Sequence, residues 1–213
     1  IQKIRQEKDH GTLLLDAGDI CDGTPFSVEY HGEADVAVMN ALGYDAGCPG
    51  NHEFNNKLAQ SLKLKSLAKY PVLCANVRLK ECNKEAYLPY VIKSISGLKV
   101  GIYGLTTMEG ATYPAGKEGL VFEEPIAASQ RIVPELRKQC DIVVAVTHIG
   151  VDEDQKLAAA VKGIDVIVGG HSHTMLPHGL QIAPYKQSNY RQTTVIVQNF
   201  QWAGTLGRLD LKI

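Results

Sequence analysis

The chain has 213 residues, 45% of them hydrophobic and 21% charged, which is the balance of a globular protein with a buried core and excludes intrinsic disorder. Its 22 basic and 23 acidic residues leave a formal net charge of −1, so there is no broad positive field for a nucleic-acid polymer, and an anionic substrate must be held by a local site. No apolar run approaches the roughly 18 residues of a membrane span, and the length predicts one domain over residues 1–213.

Taken in chain order, the run Thr12-Leu13-Leu14-Leu15-Asp16 reads as a buried strand. Residues 33–42 place Ala34, Val38, Met39 and Leu42 on one side of a helix, and residues 58–67 repeat that pattern. A strand is expected at 72–75. Residues 90–95 and 99–105 flank Ser96-Gly97-Leu98, where the glycine suits a hairpin turn. A helix over 126–138, a strand over 142–147, a helix over 155–161 and a strand over 164–169 follow. Residues 193–198 and 205–213 read as closing strands. Strand and helix alternate without repeat or low-complexity linker, which predicts an α/β domain with two packed sheets.

Five cysteines (Cys21, Cys48, Cys74, Cys82, Cys140) are scattered, with no Cys-x-x-Cys pair. Cys74 and Cys140 sit in or beside apolar runs and read as small buried hydrophobes, with a short-loop pairing of Cys74 and Cys82 the less favoured option.

Polar residues of one chemical kind collect at the ends of the expected strands. Asp19 follows the first strand in Asp16-Ala17-Gly18-Asp19, and Asn51-His52 follows Pro49-Gly50. His148 closes the strand at 142–147, and Gly170-His171-Ser172-His173 follows the strand at 164–169. Each alone has an ordinary explanation, since Asp and Gly suit turns and a polar loop needs no ligand. Jointly, a carboxylate, an amide oxygen and several imidazoles at converging strand ends form a donor set for a borderline divalent cation such as Zn²⁺ or Mn²⁺.

With these residues in view, the chain resembles the catalytic domain of the 5'-nucleotidase, UDP-sugar hydrolase and 2',3'-cyclic phosphodiesterase family, within the calcineurin-like metallophosphoesterases. The carrying segments are Gly18-Asp19, Gly43-Tyr44-Asp45, Gly50-Asn51-His52-Glu53-Phe54, Thr147-His148, Gly170-His171-Ser172-His173-Thr174 and Gly204-Thr205-Leu206-Gly207-Arg208-Leu209. The resemblance implies a four-layer αββα sandwich with two packed mixed β-sheets. It also implies two divalent metal ions, bridged by Asp19, with Asn51, His148 and His171 completing one shell and His173 facing the other ion. His52 would be the catalytic histidine beside the phosphate, and metal-activated water would release phosphate from a nucleotide. Export to the periplasm, cell surface or medium is a further implication.

Two departures qualify that expectation. The family's opening Asp-x-His motif has no match; Asp9-His10-Gly11 lacks its spacing and preceding strand, so a fragment of a longer enzyme is expected. Three residues after His52, the family usually has Asp where this chain has Asn55. An Asp there would orient the imidazole and favour its protonated form, so lower activity or a shifted pH optimum is expected, with Asn55→Asp raising turnover. The C-terminal nucleotide-binding domain usual in the family is absent from the sequence, pointing to a separately encoded or missing partner. Segments 112–119 and 177–192 are candidates for shaping the pocket. The alternatives are a catalytically impaired metal-binding or partner-binding module, and a phosphodiesterase of cyclic or sugar nucleotides.

Overall fold

The computed structural model describes residues 1–7, 11–183 and 193–212. Asp9 and His10, and the part of the expected pocket loop at 184–192, lie outside them. In chain order the strands are β1 (Leu15–Asp16), β2 (Ala46–Gly47), β3 (Val77–Leu79), β4 (Tyr90–Ile95), β5 (Leu98–Thr106), β6 (Leu120–Phe122), β7 (Ile142–His148), β8 (Val166–Gly169), β9 (Leu180–Ile182) and β10 (Thr194–Val197). The helices are α1 (Gln2–Arg5), α2 (Pro25–Glu29), α3 (Glu33–Leu42), α4 (Leu58–Leu67), α5 (Pro114–Gly119), α6 (Pro125–Arg137) and α7 (Val151–Ala160).

Six strands form the main sheet in the order β4-β5-β7-β8-β10-β9. The central four run parallel, and β4 and β9 are antiparallel edges. Residues of β5 and β7 are buried on both faces, as parallel strands covered on both sides must be. Alternate side chains therefore feed two cores. Tyr103, Leu105, Val143 and Ala145 pack with Ile132, Val133 and Leu136 of α6 and Leu157 of α7. Val100, Ile102, Val144 and Val146 face the opposite way, against Ala46, Cys48, Leu13 and Leu15.

That opposite core is closed by a second, smaller sheet. β1 pairs with β2 in parallel, Leu15 opposite Ala46. Isolated parallel bridges then join Gly47 to Val72 and Leu73 to Leu88. Val36 of α3 and Leu64 of α4 pack with Cys21 on its outer side. The result is the expected α/β sandwich of four layers, with the mixed strand directions confined to the larger sheet.

Three differences from the sequence reading have physical reasons. The strand expected at 72–75 is reduced to those bridges, because Ala75 N–H donates instead to the Gly104 carbonyl of β5 at 2.8 Å. Helix α7 begins at Val151 rather than 155, since Asp152, Glu153 and Asp154 occupy its first turn, where acidic groups favour the helix dipole. Residues 205–212 form no strand. They find no neighbouring backbone among the described residues and lie exposed, with Arg208 paired to Glu7 and Asp210. All five cysteines are free thiols, Cys74 buried and Cys82 exposed.

No described helix is long and apolar enough to cross a membrane. Backbones approach closely at Gly104, where a Cβ would lie 1.9 Å from the Leu73 carbonyl oxygen. Gly104→Ala should therefore lower stability by about 1–3 kcal/mol through overpacking. Equilibrium denaturant unfolding checks this, and an unchanged midpoint and slope would contradict the close packing.

Candidate active site

Parallel strands put their C-terminal ends on one edge of a sheet. Here β7 ends in His148, the turn after β8 carries His171, and the turns after β1 and β2 carry Asp19 and Asn51. The four residues come together there, as the sequence pattern implied.

Asp19 lies at the centre. Its Oδ2 is 2.9 Å from His148 Nε2, and its Oδ1 accepts the His52 backbone N–H at 2.9 Å. The His148 and His171 rings meet edge to face with centroids 5.1 Å apart. One ligand atom from each of Asp19, His148 and His171 lies within 4.8 Å of the others. Asn51, 4% exposed, turns its Oδ1 to His171 Nδ1 at 3.1 Å and donates its Nδ2–H to the Tyr113 hydroxyl at 3.2 Å.

His148, only 2% exposed, has its tautomer set by the chain. Its Nδ1 is 2.6 Å from the Ala17 carbonyl oxygen, which can only accept, so Nδ1 carries hydrogen. In the neutral ring Nε2 then presents a lone pair to a carboxylate oxygen, and this buried nitrogen has no aligned hydrogen-bond partner. Two electron-rich atoms at that separation need a positive charge between them, either a proton or a cation. Accordingly, although burial pulls the imidazole's pKa down, the Asp19 carboxylate outweighs it and holds it above its ordinary value. The reciprocal holds for Asp19: burial pushes it up, but His148 and the His52 amide bring it below its ordinary value. His171 is held low by burial and by His148, so its neutral, ligand-competent form is favoured. A ring N–H anchored to a backbone carbonyl, with the other nitrogen bare beside a carboxylate, is the donor arrangement a divalent cation requires. The residues present therefore fit one such ion.

A residue quoted in the sequence motif but given no role there holds the cluster together. The buried Glu53 carboxylate accepts the backbone N–H groups of Asp19 (2.9 Å), Cys21 (2.9 Å) and Gly50 (2.5 Å). Burial and the neighbouring Asp19 charge push its pKa up, with the amides pulling against them. Gly50 has to be glycine, because a Cβ there would lie 2.1 Å from Asp19 Oδ1. Asp19, His171 and His173 all adopt left-handed backbone, with φ of 57°, 75° and 51°. Such conformations cost of order 1–3 kcal/mol each and persist where surrounding structure enforces them.

The remaining expected residues fall in two places. His52 stands at the mouth, its side chain 43% exposed, with Nε2 3.9 Å from Asp19 Oδ2 and Nδ1 2.7 Å from Asn55 Nδ2. His173 is exposed and lies outside the Asp19–His148–His171 cluster. Behind the 170–174 turn, Gln198 accepts from Thr174 N–H and from the Ser172 hydroxyl (3.0 Å), and donates to the Gly170 carbonyl (3.0 Å). Tyr113, in the segment 112–119, lies beside Asn51 and His52. Glu109 adds a carboxylate 3.7 Å from His171 Nε2. Neither Gln198 nor Glu109 carried a sequence signal.

Comparison with known proteins agrees with this geometry. The model of the calcineurin-like phosphoesterase family matches residues 1–175. The chain belongs to the calcineurin-like phosphoesterase family. It is 32% identical to the trifunctional nucleotide phosphoesterase protein YfkN of Bacillus subtilis, over 99% of this chain and 16% of that protein. It is 38% identical to the snake venom 5'-nucleotidase of Gloydius brevicauda, over 99% of this chain and 38% of that protein. The crystal structure of a 5'-nucleotidase precursor from Thermus thermophilus superposes with a TM-score of 0.81 at 33% identity, over 90% of this chain and 40% of that one. The chain thus spans two fifths or less of each of these phosphoesterase relatives.

Two outcomes are expected from this site. Glu53→Ala leaves three backbone N–H groups without their acceptor. It should lower stability by a few kcal/mol, at about 1–3 kcal/mol for each group left unpaired, and speed amide hydrogen exchange at Asp19, Cys21 and Gly50; unchanged exchange there would contradict the clamp. The second concerns Asp154, which accepts the Thr147 hydroxyl at 2.7 Å while its Oδ2 is buried without a partner. Burial pushes this carboxyl from 3.8 up to about 7. The folded state therefore prefers its protonated form, and that contribution is complete below 3.8 and lost as pH rises toward about 7. Across this window the Tm of the native chain should fall relative to Asp154→Asn; parallel Tm curves would contradict it.

Proposed function

We propose that the chain is the catalytic domain of a metal-dependent phosphoester hydrolase that releases phosphate from nucleotides. The observation that carries this reading is the bare His148 Nε2 set 2.9 Å from the Asp19 carboxylate, with His171 completing the cluster and His52 at its open side. Family membership and 5'-nucleotidase relatives support it.

In this reading Asp19, Asn51, His148 and His171 would hold one divalent ion, and His173 with Asp19 would serve a second in the family's arrangement; Zn²⁺ and Mn²⁺ would suit these donors best. Bound divalent ions supply an activated water and neutralise phosphoryl oxygens. The chain's own groups do the rest. Glu53 fixes Asp19 through the backbone, the Ala17 carbonyl fixes the His148 ring, and Tyr113 steadies Asn51. His52, half-exposed, is placed to donate a hydrogen bond to a phosphate oxygen and to assist the departing one. Cyclic and sugar nucleotides are alternative substrates for the same site, and base recognition belongs to a further nucleotide-binding domain or partner. An exported location follows from the resemblance to the exported members of the family.

A second reading, a metal-binding module without turnover, is favoured by one observation: His173 stands outside the single three-residue cluster found among the described residues. Phosphate release from AMP in the presence of Mn²⁺ or Zn²⁺ decides between them. The hydrolase reading predicts metal-dependent release that falls by about 10²-fold or more in His52→Ala. Metal binding with no release by the native chain would support the module instead.

A further inference from the structure

The sequence left His52 without the carboxylate expected three residues on, because Asn55 stands there. The structure puts a carboxylate in that place from elsewhere. Asn55 Nδ2 donates a hydrogen bond to Asp22 Oδ2, and the same Nδ2 lies 2.7 Å from His52 Nδ1. Asp22 Oδ2 is itself 3.9 Å from that ring nitrogen.

Donor and acceptor capacity then fixes the whole chain of contacts. An ionised carboxylate only accepts, so the amide atom facing Asp22 is the NH₂ group. That group also faces His52 Nδ1, which must therefore be the accepting nitrogen. The ring hydrogen is left on Nε2, the atom directed toward Asp19 and the open side of the site. Turning the amide over would bring Oδ1 against the Asp22 carboxylate, acceptor to acceptor. Its present orientation leaves Asn55 Oδ1 buried with no partner. An amide held in an orientation that strands its own oxygen is being held by the stronger, charged contact.

The loop is built to deliver Asp22 there. Its backbone is left-handed, φ 64°, and its N–H donates to Ser27 Oγ at 2.9 Å. Ser27 is fixed in turn by the N-cap of α2, donating its own N–H to Thr24 Oγ1 at 3.1 Å.

We propose that Asp22 is a positioning residue for His52: acting through the Asn55 amide, it keeps Nδ1 an acceptor and presents Nε2–H to the substrate phosphate. The carboxylate expected at 55 is thus supplied from 22, with the amide between. Its catalytic consequence rests on the hydrolase reading above, whereas its effect on the ring does not.

This reverses one expectation from the sequence. Asn55→Asp sets two carboxylates against each other and turns an acceptor toward His52 Nδ1, so it lowers turnover. Adding Asp22→Asn removes the repulsion but still leaves hydrogen on Nδ1 and does not restore the native tautomer. The test is ¹⁵N NMR of the His52 ring in the metal-free protein, with kcat and KM for AMP measured on the metal-supplemented enzyme. The native ring should show hydrogen on Nε2 only. Asp22→Ala frees the amide and should give a mixture of tautomers. It should also lower kcat on the order of tenfold, as loss of an orienting contact behind a working group does, with KM changed by less than about twofold. Asp22→Asn, which is isosteric, guards against misfolding and should fall between. Hydrogen on Nδ1 in the native ring, an unchanged spectrum in Asp22→Ala, or faster turnover in Asn55→Asp would each overturn the proposal. Absence of phosphate release from every form would instead overturn the hydrolase reading, and the ring spectrum would still decide the role of Asp22.

Discussion

One buried carboxylate holds the site together. Glu53 accepts the backbone N–H groups of Asp19, Cys21 and Gly50, and so ties the turn after β1 to the turn after β2. Both loops must bend sharply and bury peptide groups that no strand can satisfy, and a carboxylate with several acceptor positions meets that need from a single side chain. Asp19 can then sit in left-handed backbone with its carboxylate directed at His148, 131 residues from the Ala17 carbonyl that anchors the same ring. The placement of every other group in the site is measured from that turn.

The core explains why such a clamp can hold its geometry. β5 and β7 are packed on both faces, one by α6 and α7 and the other by the small second sheet. His148 ends β7 and is itself buried, so its position is that of the sheet. His171 is steadied from behind by Gln198, at the end of β10, the neighbour of β8. The fixed groups are thus mounted on the rigid part of the fold. His52 and His173, by contrast, lie toward solvent, where a substrate phosphate can reach them.

Much of this was legible in the sequence. The extents of the helices at 33–42 and 58–67, the hairpin around Gly97 and the strands over 142–147 and up to Gly169 follow from periodicity and turn residues. The apolar side read for residues 33–42 does not hold, because Val38 and Leu42 are exposed while Val36 and Met39 are the buried residues. Asp19, His148 and His171 stood out in the sequence because each follows an apolar run, and Asn51 because it follows Pro49-Gly50 in a polar motif. Other features depend on contacts between distant segments, and local pattern does not encode these. Residues 72–75 look like a strand, but Leu73 and Cys74 donate to Gly47 and Leu88 while Ala75 donates to Gly104, and 205–212 look like a strand but pair with no backbone among the described residues. Glu53 read as a motif letter, since its three partners are scattered in sequence. Asp22 read as a turn residue, and only its contact with Asn55 gives it a role.

The central claim is that Asp19, Asn51, His148 and His171 form a divalent cation site made ready by the fold. Calorimetric titration of the metal-free chain with Mn²⁺ tests it most directly, in parallel with His148→Ala and His171→Ala. The account predicts saturable binding by the native chain, weakened by at least about tenfold in each variant, as expected when a ligand is removed. Equal affinity in all three, or no saturable binding by the folded native chain, would contradict it.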